Sequence, residues 1–217
     1  MSTGAPPTRL RPPARLRGEL RVPGDKSISH RALLLNSIAT GAARITGAGL
    51  GADCRSTLRN LRQLGVKIDE PGDGKLVVHG RGLAGLREAE DTLDCGNSGT
   101  TMRLLLGVLA GLPFSSTVTG DKSLRGRPMG RITDPLRQMG ARISGRNDGR
   151  KAPLAVEGGE LHGIEYKMPV ASAQLKSSLL LAGLAAKGRT VLHQTAVSRD
   201  HTELMLAAQG VTVQSDG

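Results

Sequence analysis

SISHRALLLNSIATGAARITGAGLGADCRSTLRNLRQLGVKI, Ser27–Ile68, decides the fold, because the chain repeats its pattern three times. The counterparts are GTTMRLLLGVLAGLPFSSTVTGDKSLRGRPMGRITDPLRQMGARI (Gly99–Ile143) and SAQLKSSLLLAGLAAKGRTVLHQTAVSRDHTELMLAAQGVTV (Ser172–Val213). Each copy opens on a small residue with a cation four positions on: Ser27 and Arg31, Gly99 and Arg103, Ser172 and Lys176. A leucine-rich run then leads to Gly41, Gly111 or Gly188. The openings lie 72 and 73 residues apart. So regular a period in such unlike sequence argues for one α/β unit, repeated around a shared core.

Within a copy the leucine-rich helix is followed by a short β-branched segment: ARITG, STVTG or TVLHQ. An amphipathic helix comes next, with apolar residues three apart in Leu58, Leu61 and Leu64 and with Leu204 and Leu206 as their counterparts in the third copy. It stops at Gly65, Gly140 or Gly210, suiting a left-handed cap, and runs into GVKI, GARI or GVTV as a strand. The first two copies turn through DEPGDG and GRNDGRK into second strands, KLVVHG and APLAVEG. ELRVPG, Glu19–Gly24, reads as a strand ahead of the first helix. The predicted unit is therefore βαβαββ, and the fold class α/β. Repeats are expected at about 19–85, 92–158 and 164–217, in one domain over 16–217 behind a disordered basic lead-in, 1–15. The third copy stops inside the turn that opens the last strand elsewhere, so the chain reads as the front part of a longer protein.

Composition narrows the partners. Lys and Arg number 30 against 19 Asp and Glu, a net charge of +11, which calls for anions. The chain has one Phe, one Tyr and no Trp, so it lacks the stacking platforms of single-strand nucleic-acid binders. Small phosphates and carboxylates are the expected ligands, and nucleic acid is not. Cys54 and Cys95 make neither a disulfide framework nor a zinc site. No apolar run approaches a membrane span, and MSTGAPPTRLRPPARLRG lacks the apolar stretch of a secretory signal. A cytoplasmic protein is expected.

The helix starts hold the candidate site. A helix N-terminus presents free N–H groups and partial positive charge, so cations gathered there imply an anion among them. PGDKSISHR carries Lys26, Ser27 and Arg31, and CGNSGTTMR offers Gly-rich amides with Asn97, Gly99 and Arg103. GRPMGR places Arg127, whose planar fork suits a bidentate hold, before a proline that could open a helix. PVASAQLK presents Ser172, Ala173, Gln174 and Lys176, and SRDHTE presents Arg199 beside a cap at Asp200 or Thr202, with Glu203 in the first turn. No second ligand is in view for His201. Neither G-x-x-x-x-G-K-[ST] nor G-x-G-x-x-G is satisfied; GAGLGAD (Gly47–Asp53) is a weak match, so a nucleotide cofactor is not expected.

PGDKSISHRALLL, GNSGTTMRLL, RPMGR, ASAQLKSSLLLAGL and SRDHTE, in this order, resemble the 5-enolpyruvylshikimate-3-phosphate synthase family from about Leu16 to the chain end. ASAQLKS and RDHTE are similar to the glyphosate-tolerant branch, whereas Gly99 stands where some tolerant members carry alanine. The resemblance implies two similar domains of three βαβαββ units closing on the substrates, with a strand like ELRVPG in the crossover to the other domain. It implies transfer of the carboxyvinyl group of phosphoenolpyruvate to the 5-hydroxyl of shikimate 3-phosphate, without metal or organic cofactor, by a monomer. Lys26 would then lie between the substrates and stabilise charge. Ser27 and Arg31 would hold the shikimate carboxylate side. Ser172, the Ala173 backbone and Arg199 would hold the 3-phosphate, with Gln174 against the ring, and Asn97, Gly99, Arg127 and Gln174 would receive phosphoenolpyruvate. Arg103 would support the site. The family's acidic proton-transfer residues lie in its second half, so this chain alone is expected to be inactive. The related transferase acting on a UDP-sugar differs: it has Asn after the early lysine, where this chain has Ser27, and a reactive loop cysteine. The alternatives are this UDP-N-acetylglucosamine enolpyruvyl transferase and a non-catalytic anion-binding or nucleic-acid-binding domain.

Overall fold

Gly65, Gly140 and Gly210 take φ of 88°, 107° and 85°, and each sits just past the end of a helix, where only a residue without Cβ enters the left-handed region freely. These three stops punctuate the molecule. A computed structural model of the chain describes Arg9, Arg15 and residues 17–215; the expected lead-in, apart from those two arginines, lies outside the described residues.

The first unit is α1 (Lys26–Ile38), β1 (Thr40–Ile45), α2 (Ala52–Gln63), β2 (Lys67–Gly72) and β3 (Lys75–Arg81). The second is β4 (Leu93–Asp94), α3 (Gly99–Leu109), β5 (Ser115–Thr119), α4 (Lys122–Gly126), α5 (Gly130–Gln138), β6 (Arg142–Gly145), the one-turn α6 (Arg146–Gly149) and β7 (Lys151–Glu157). The third follows β8 (Leu161–His162) and comprises β9 (Glu165–Lys167), α7 (Ala173–Gly183), β10 (Ala186–Lys187), β11 (Val191–His193) and α8 (His201–Ala208). Both hairpins fall where turn chemistry places them. Asp73 and Gly74 (φ 52° and 66°) turn β2 into β3, and Asn147 and Asp148 (51° and 53°) turn β6 towards β7.

The second unit is the complete one. Its sheet runs β4-β5-β7-β6, with β4 parallel to β5 and the other pairs antiparallel. The first unit keeps only the antiparallel β1-β3-β2. The third keeps only the parallel β9–β11 pair, while β10 lies parallel to β8. Two expectations fail for this reason. Residues 19–24 form no strand, and Leu20 and Val22 are 81% and 75% exposed. GVTV forms none either, although the Val211 N–H is held by the Leu206 carbonyl. A strand is a property of a ladder, and among the described residues neither segment has a neighbour to pair with. Leu204, expected to face the core, is 60% exposed, whereas Leu206 is buried.

Helices α1, α3 and α7 are the leucine-rich runs, and they are buried on almost every face, as helices apolar all round must be. Leu33–Leu35, Leu104–Leu106, Leu179 and Leu181 make the middle of the core; each such side chain contributes roughly 1.5–3 kcal/mol on burial. A Cβ on Gly107 would lie 2.2 Å from the Ser178 carbonyl oxygen, so glycine there lets the α3 and α7 backbones touch. With almost no aromatics, tight aliphatic packing at such contacts replaces bulk.

Candidate anion-binding site

The beginning of α1 is set by Asp25, whose carboxylate accepts the Ile28 N–H at 2.8 Å. That bond, more than anything else, holds the Asp25 carboxyl below its usual range. The loop before it rests on Gly47–Gly51: a Cβ on Gly24 would meet the Gly47 carbonyl oxygen at 1.9 Å, and one on Gly49 the Gly24 oxygen at 2.3 Å. The glycines of GAGLGAD thus serve close backbone packing under the α1 start. Ser29 links the two loops by donating to the Asp25 carbonyl and accepting from the Gly49 N–H. Lys26, exposed, pairs with Asp53 at the start of α2, Nζ to Oδ2 3.0 Å.

Ser98 caps α3 by accepting the Thr101 N–H at 3.1 Å, and Asp121 caps α4 by accepting that of Leu124 at 2.7 Å. Between these caps runs a side-chain bridge. Arg127 Nη2 donates to Asn97 Oδ1, and Asn97 Nδ2 donates to Asp121 Oδ2. The Asn97 bond is the main reason the Asp121 carboxyl lies below its usual range. Gly99 opens α3 beneath two guanidinium groups: a Cβ there would come within 2.8 Å of Arg103 Nη1 and 3.2 Å of Arg127 Nη1. Arg103 Nη1 also donates to Gln174 Oε1 at 2.7 Å, and Gln174 Nε2 donates to Thr100 Oγ1. Burial, then Arg131 and Arg127, lower the Arg103 pKa. Neither Arg103 nor Arg127 forms an ion pair among the described residues.

Ser172 caps α7 through the Leu175 N–H, and Arg199, ahead of α8, donates to Ser27 Oγ at 2.9 Å. The first turns of α3 and α7 therefore touch through Gln174, and the first turn of α1 is met by Arg199 ahead of α8. A hollow of about 520 Å³ beside Arg55, Arg59 and Glu70 is lined by none of these residues.

A family profile for EPSP synthase (3-phosphoshikimate 1-carboxyvinyltransferase) matches residues 10–217 of this chain. The chain belongs to the EPSP synthase family. A relative from Desulfitobacterium hafniense named 3-phosphoshikimate 1-carboxyvinyltransferase is 56% identical over 209 residues, 96% of this chain and 48% of the relative. One of the same name from Chloroflexus aurantiacus is 58% identical over 199 residues, 91% of this chain and 46% of the relative. A solved EPSP synthase structure from Acinetobacter baumannii superposes with a TM-score of 0.89 at 47% identity, covering 92% of this chain and 45% of that one. The chain spans about half the length of the curated relatives it matches. The α/β architecture described above is that of the EPSP synthase fold, with the βαβαββ unit complete in the second repeat.

The repeated cations do not all face a ligand. Lys176 is buried and pairs with Glu203 of α8, while its Nζ also lies 3.5 Å from the Ser198 carbonyl. It is a strut between α7 and α8, and its anion is a carboxylate of the protein. Arg31 is 3% exposed and spends three donors on Thr202 Oγ1, Ser177 Oγ and the Ser27 carbonyl. Asp53 and Glu203, which answer Lys26 and Lys176, and Asp121, which answers Asn97, were missed as partners in the sequence, although Asp53 and Asp121 stand at helix starts where capping rules place acids. Pro128 precedes α5 without opening it; the helix begins at Gly130. Among the described residues no cluster of His, Cys, Asp and Glu is arranged to hold a metal, His201 included. Burial raises the Cys54 thiol to about 11 and that of Cys95 to about 12, so neither is a nucleophile at neutral pH.

No helix among the described residues is long and apolar enough to cross a membrane.

Proposed function

We propose that this chain supplies the substrate-holding half of a 3-phosphoshikimate 1-carboxyvinyltransferase. The observation that carries the reading is the pair of guanidinium groups, Arg103 and Arg127, standing over the bare start of α3 with no carboxylate on either among the described residues. Two arginine forks and a helix N-terminus suit a small dianion such as phosphoenolpyruvate. Asn97 and Gly99 belong to the same cradle, with Gln174 bridging it to α7.

Shikimate 3-phosphate fits the neighbouring starts. Ser172, the Ala173 backbone and Arg199 receive the 3-phosphate, Gln174 lies against the ring, and Ser27 with the remaining donors of Arg31 takes the carboxylate side. Lys26 stands between the two, and Asp53 orients its ammonium. In the reaction a proton adds to the methylene carbon of phosphoenolpyruvate and the 5-hydroxyl attacks the adjacent carbon. Loss of a proton from the new methyl group and departure of phosphate then give the enol ether. Lys26 stabilises the charge that develops as these steps proceed. Phosphate and carboxylate on both substrates give the cationic face its purpose.

Calorimetry on this chain tests the reading. Arg127→Ala is expected to weaken phosphoenolpyruvate binding and leave shikimate 3-phosphate binding intact; equal loss of both would refute the division of the site. A coupled phosphate-release assay on this chain should show no turnover, and normal turnover would overturn the requirement for a second half. In a full-length version Lys26→Ala should abolish turnover.

A further inference from the structure

His30 takes part in none of the roles above, yet it begins a buried polar chain that ends at the site. It lies in α1 at 1% exposure, with Nδ1 2.7 Å from Thr57 Oγ1 of α2. Thr57 Oγ1 is 2.7 Å from Thr101 Oγ1 of α3. Thr101 Oγ1 is in turn 2.7 Å from Ser98 Oγ and 3.3 Å from the Asp53 carbonyl oxygen. Thr57, Thr101 and Ser98 are each buried.

The direction of the chain follows from counting protons. The Asp53 carbonyl can only accept, so one arrangement shares the single Thr101 proton between Asp53 and Ser98. Each hydroxyl has one proton. In that arrangement Thr57 donates to Thr101 and His30 donates to Thr57 from Nδ1, whereas the reverse order would put the ring proton on Nε2, where it meets no partner among the described residues. The first order leaves the Nε2 lone pair, which meets no partner among the described residues, and burial lowers the ring's pKa to about 4, keeping it neutral. Hydrogen bonds aligned in this way polarise one another and hold their members in place.

We propose that His30 is a positioning residue for the phosphoenolpyruvate side of the site, its Nδ1–H starting a one-way hydroxyl chain that fixes the start of α3. The far end supports this. Ser98 is the cap of α3, and its neighbours Asn97 and Gly99 carry the Arg127 bond and the bare cradle. Asp53 is the residue whose carboxylate holds Lys26. One chain thus braces both the cradle and the lysine, and its functional part rests on the reading of the site proposed above. Leucine at position 30 fills the space but donates nothing, so Thr57 loses its donor. Asparagine places an amide nitrogen near the Nδ1 position and restores one.

The test uses the 217-residue chain as wild type, His30→Leu and His30→Asn. Nitrogen-15 NMR should show the ring in its Nδ1–H form; the Nε2–H form would reverse the chain and overturn the proposal. Amide exchange at Ser98–Met102 should accelerate about tenfold in His30→Leu and return in His30→Asn, one hydrogen bond's worth. Acceleration confined to α1 and α2 would mean local packing only and would overturn it. Phosphoenolpyruvate affinity should fall about tenfold in His30→Leu with shikimate 3-phosphate affinity unchanged. Should His30→Leu not fold, Thr57→Val breaks the same chain and is held to the same outcomes. If the wild type binds neither compound, the functional reading fails, and the ring form and exchange pattern still decide the positioning role.

Discussion

Two sets of cations stand at the same helix starts and are treated in opposite ways. Arg31, Arg103 and Lys176 recur in register, one turn into each inner helix, and form a floor. Arg31 and Lys176 are buried, and all three are bound to protein groups: hydroxyls, an amide oxygen and a carboxylate. Lys26, Arg127 and Arg199 have no such register and form the lip. Lys26 and Arg199 are exposed, and the Arg127 side chain is held by Asn97. A period in the sequence marks what every unit needs in order to pack, so the repeat identifies the floor. Lys26, Arg127 and Arg199, the cations of the lip, are ones the repeat does not generate, and Arg103 of the floor also faces the bare start of α3.

The contrast can be broken at the floor with the largest effect. Glu203→Gln leaves the Lys176 ammonium buried at 5% side-chain exposure without its countercharge, and urea unfolding should show a loss of about 3 kcal/mol. A Lys176→Met, Glu203→Leu double variant should recover much of it, because packed apolar groups replace a buried pair well. A double variant no more stable than Glu203→Gln would contradict this.

His30 provides a pH test of the same floor, and Asp53, Lys26 and Arg31 are the charged groups that act on it. Its folded pKa of about 4 lies below the ordinary 6.5 because burial disfavours the imidazolium. The unfolded chain therefore takes up the proton first as pH falls. Stability contributed by the neutral ring is full above 6.5 and declines between 6.5 and 4, by about 3 kcal/mol in total. Carboxylates held low, such as Asp25 and Asp121, add losses at lower pH, so the readout is the difference between wild type and His30→Asn. A variant with the same slope between 6.5 and 4 would place the titration elsewhere.

Effects at the lip should be smaller in stability and specific in binding. Gly99→Ala puts a Cβ 2.8 Å from Arg103 Nη1; the guanidinium ends must shift, and phosphoenolpyruvate affinity should drop about tenfold, or about 1.4 kcal/mol. Unchanged affinity by calorimetry would remove Gly99 from the cradle. Lys26→Ala breaks a surface pair whose lysine side chain is 63% exposed, and its midpoint of unfolding should move by less than about 1 kcal/mol. A larger loss would make Lys26 part of the floor.

Much of the architecture was legible from local rules. The glycine stops, the Asp-Gly and Asn-Asp turns and the leucine-rich runs act over a few residues, and the structure has them where these rules put them. The failures are non-local. ELRVPG and GVTV have strand-like composition, yet a strand needs hydrogen-bonding neighbours, and none lies beside them among the described residues. Leu204 fits an apolar stripe but meets solvent. Of the candidate residues, Lys26, Asn97, Gly99, Ser172, Gln174 and Arg199 lie at helix starts, whereas Arg127 closes α4. Their partners came from distant elements: Asp53 for Lys26, Asp121 for Asn97, Glu203 for Lys176.

The sequence by itself determined the repeated unit, the family and the clustering of cations at helix starts, because period, turn chemistry and motif order are written along the chain. Only the tertiary structure decided which of those cations are already answered by a carboxylate or hydroxyl, and that His30, Thr57, Thr101 and Ser98 form one chain. Ion pairs and hydrogen bonds act over about 3 Å, and residues from separate units come that close only when the three inner helices pack side by side.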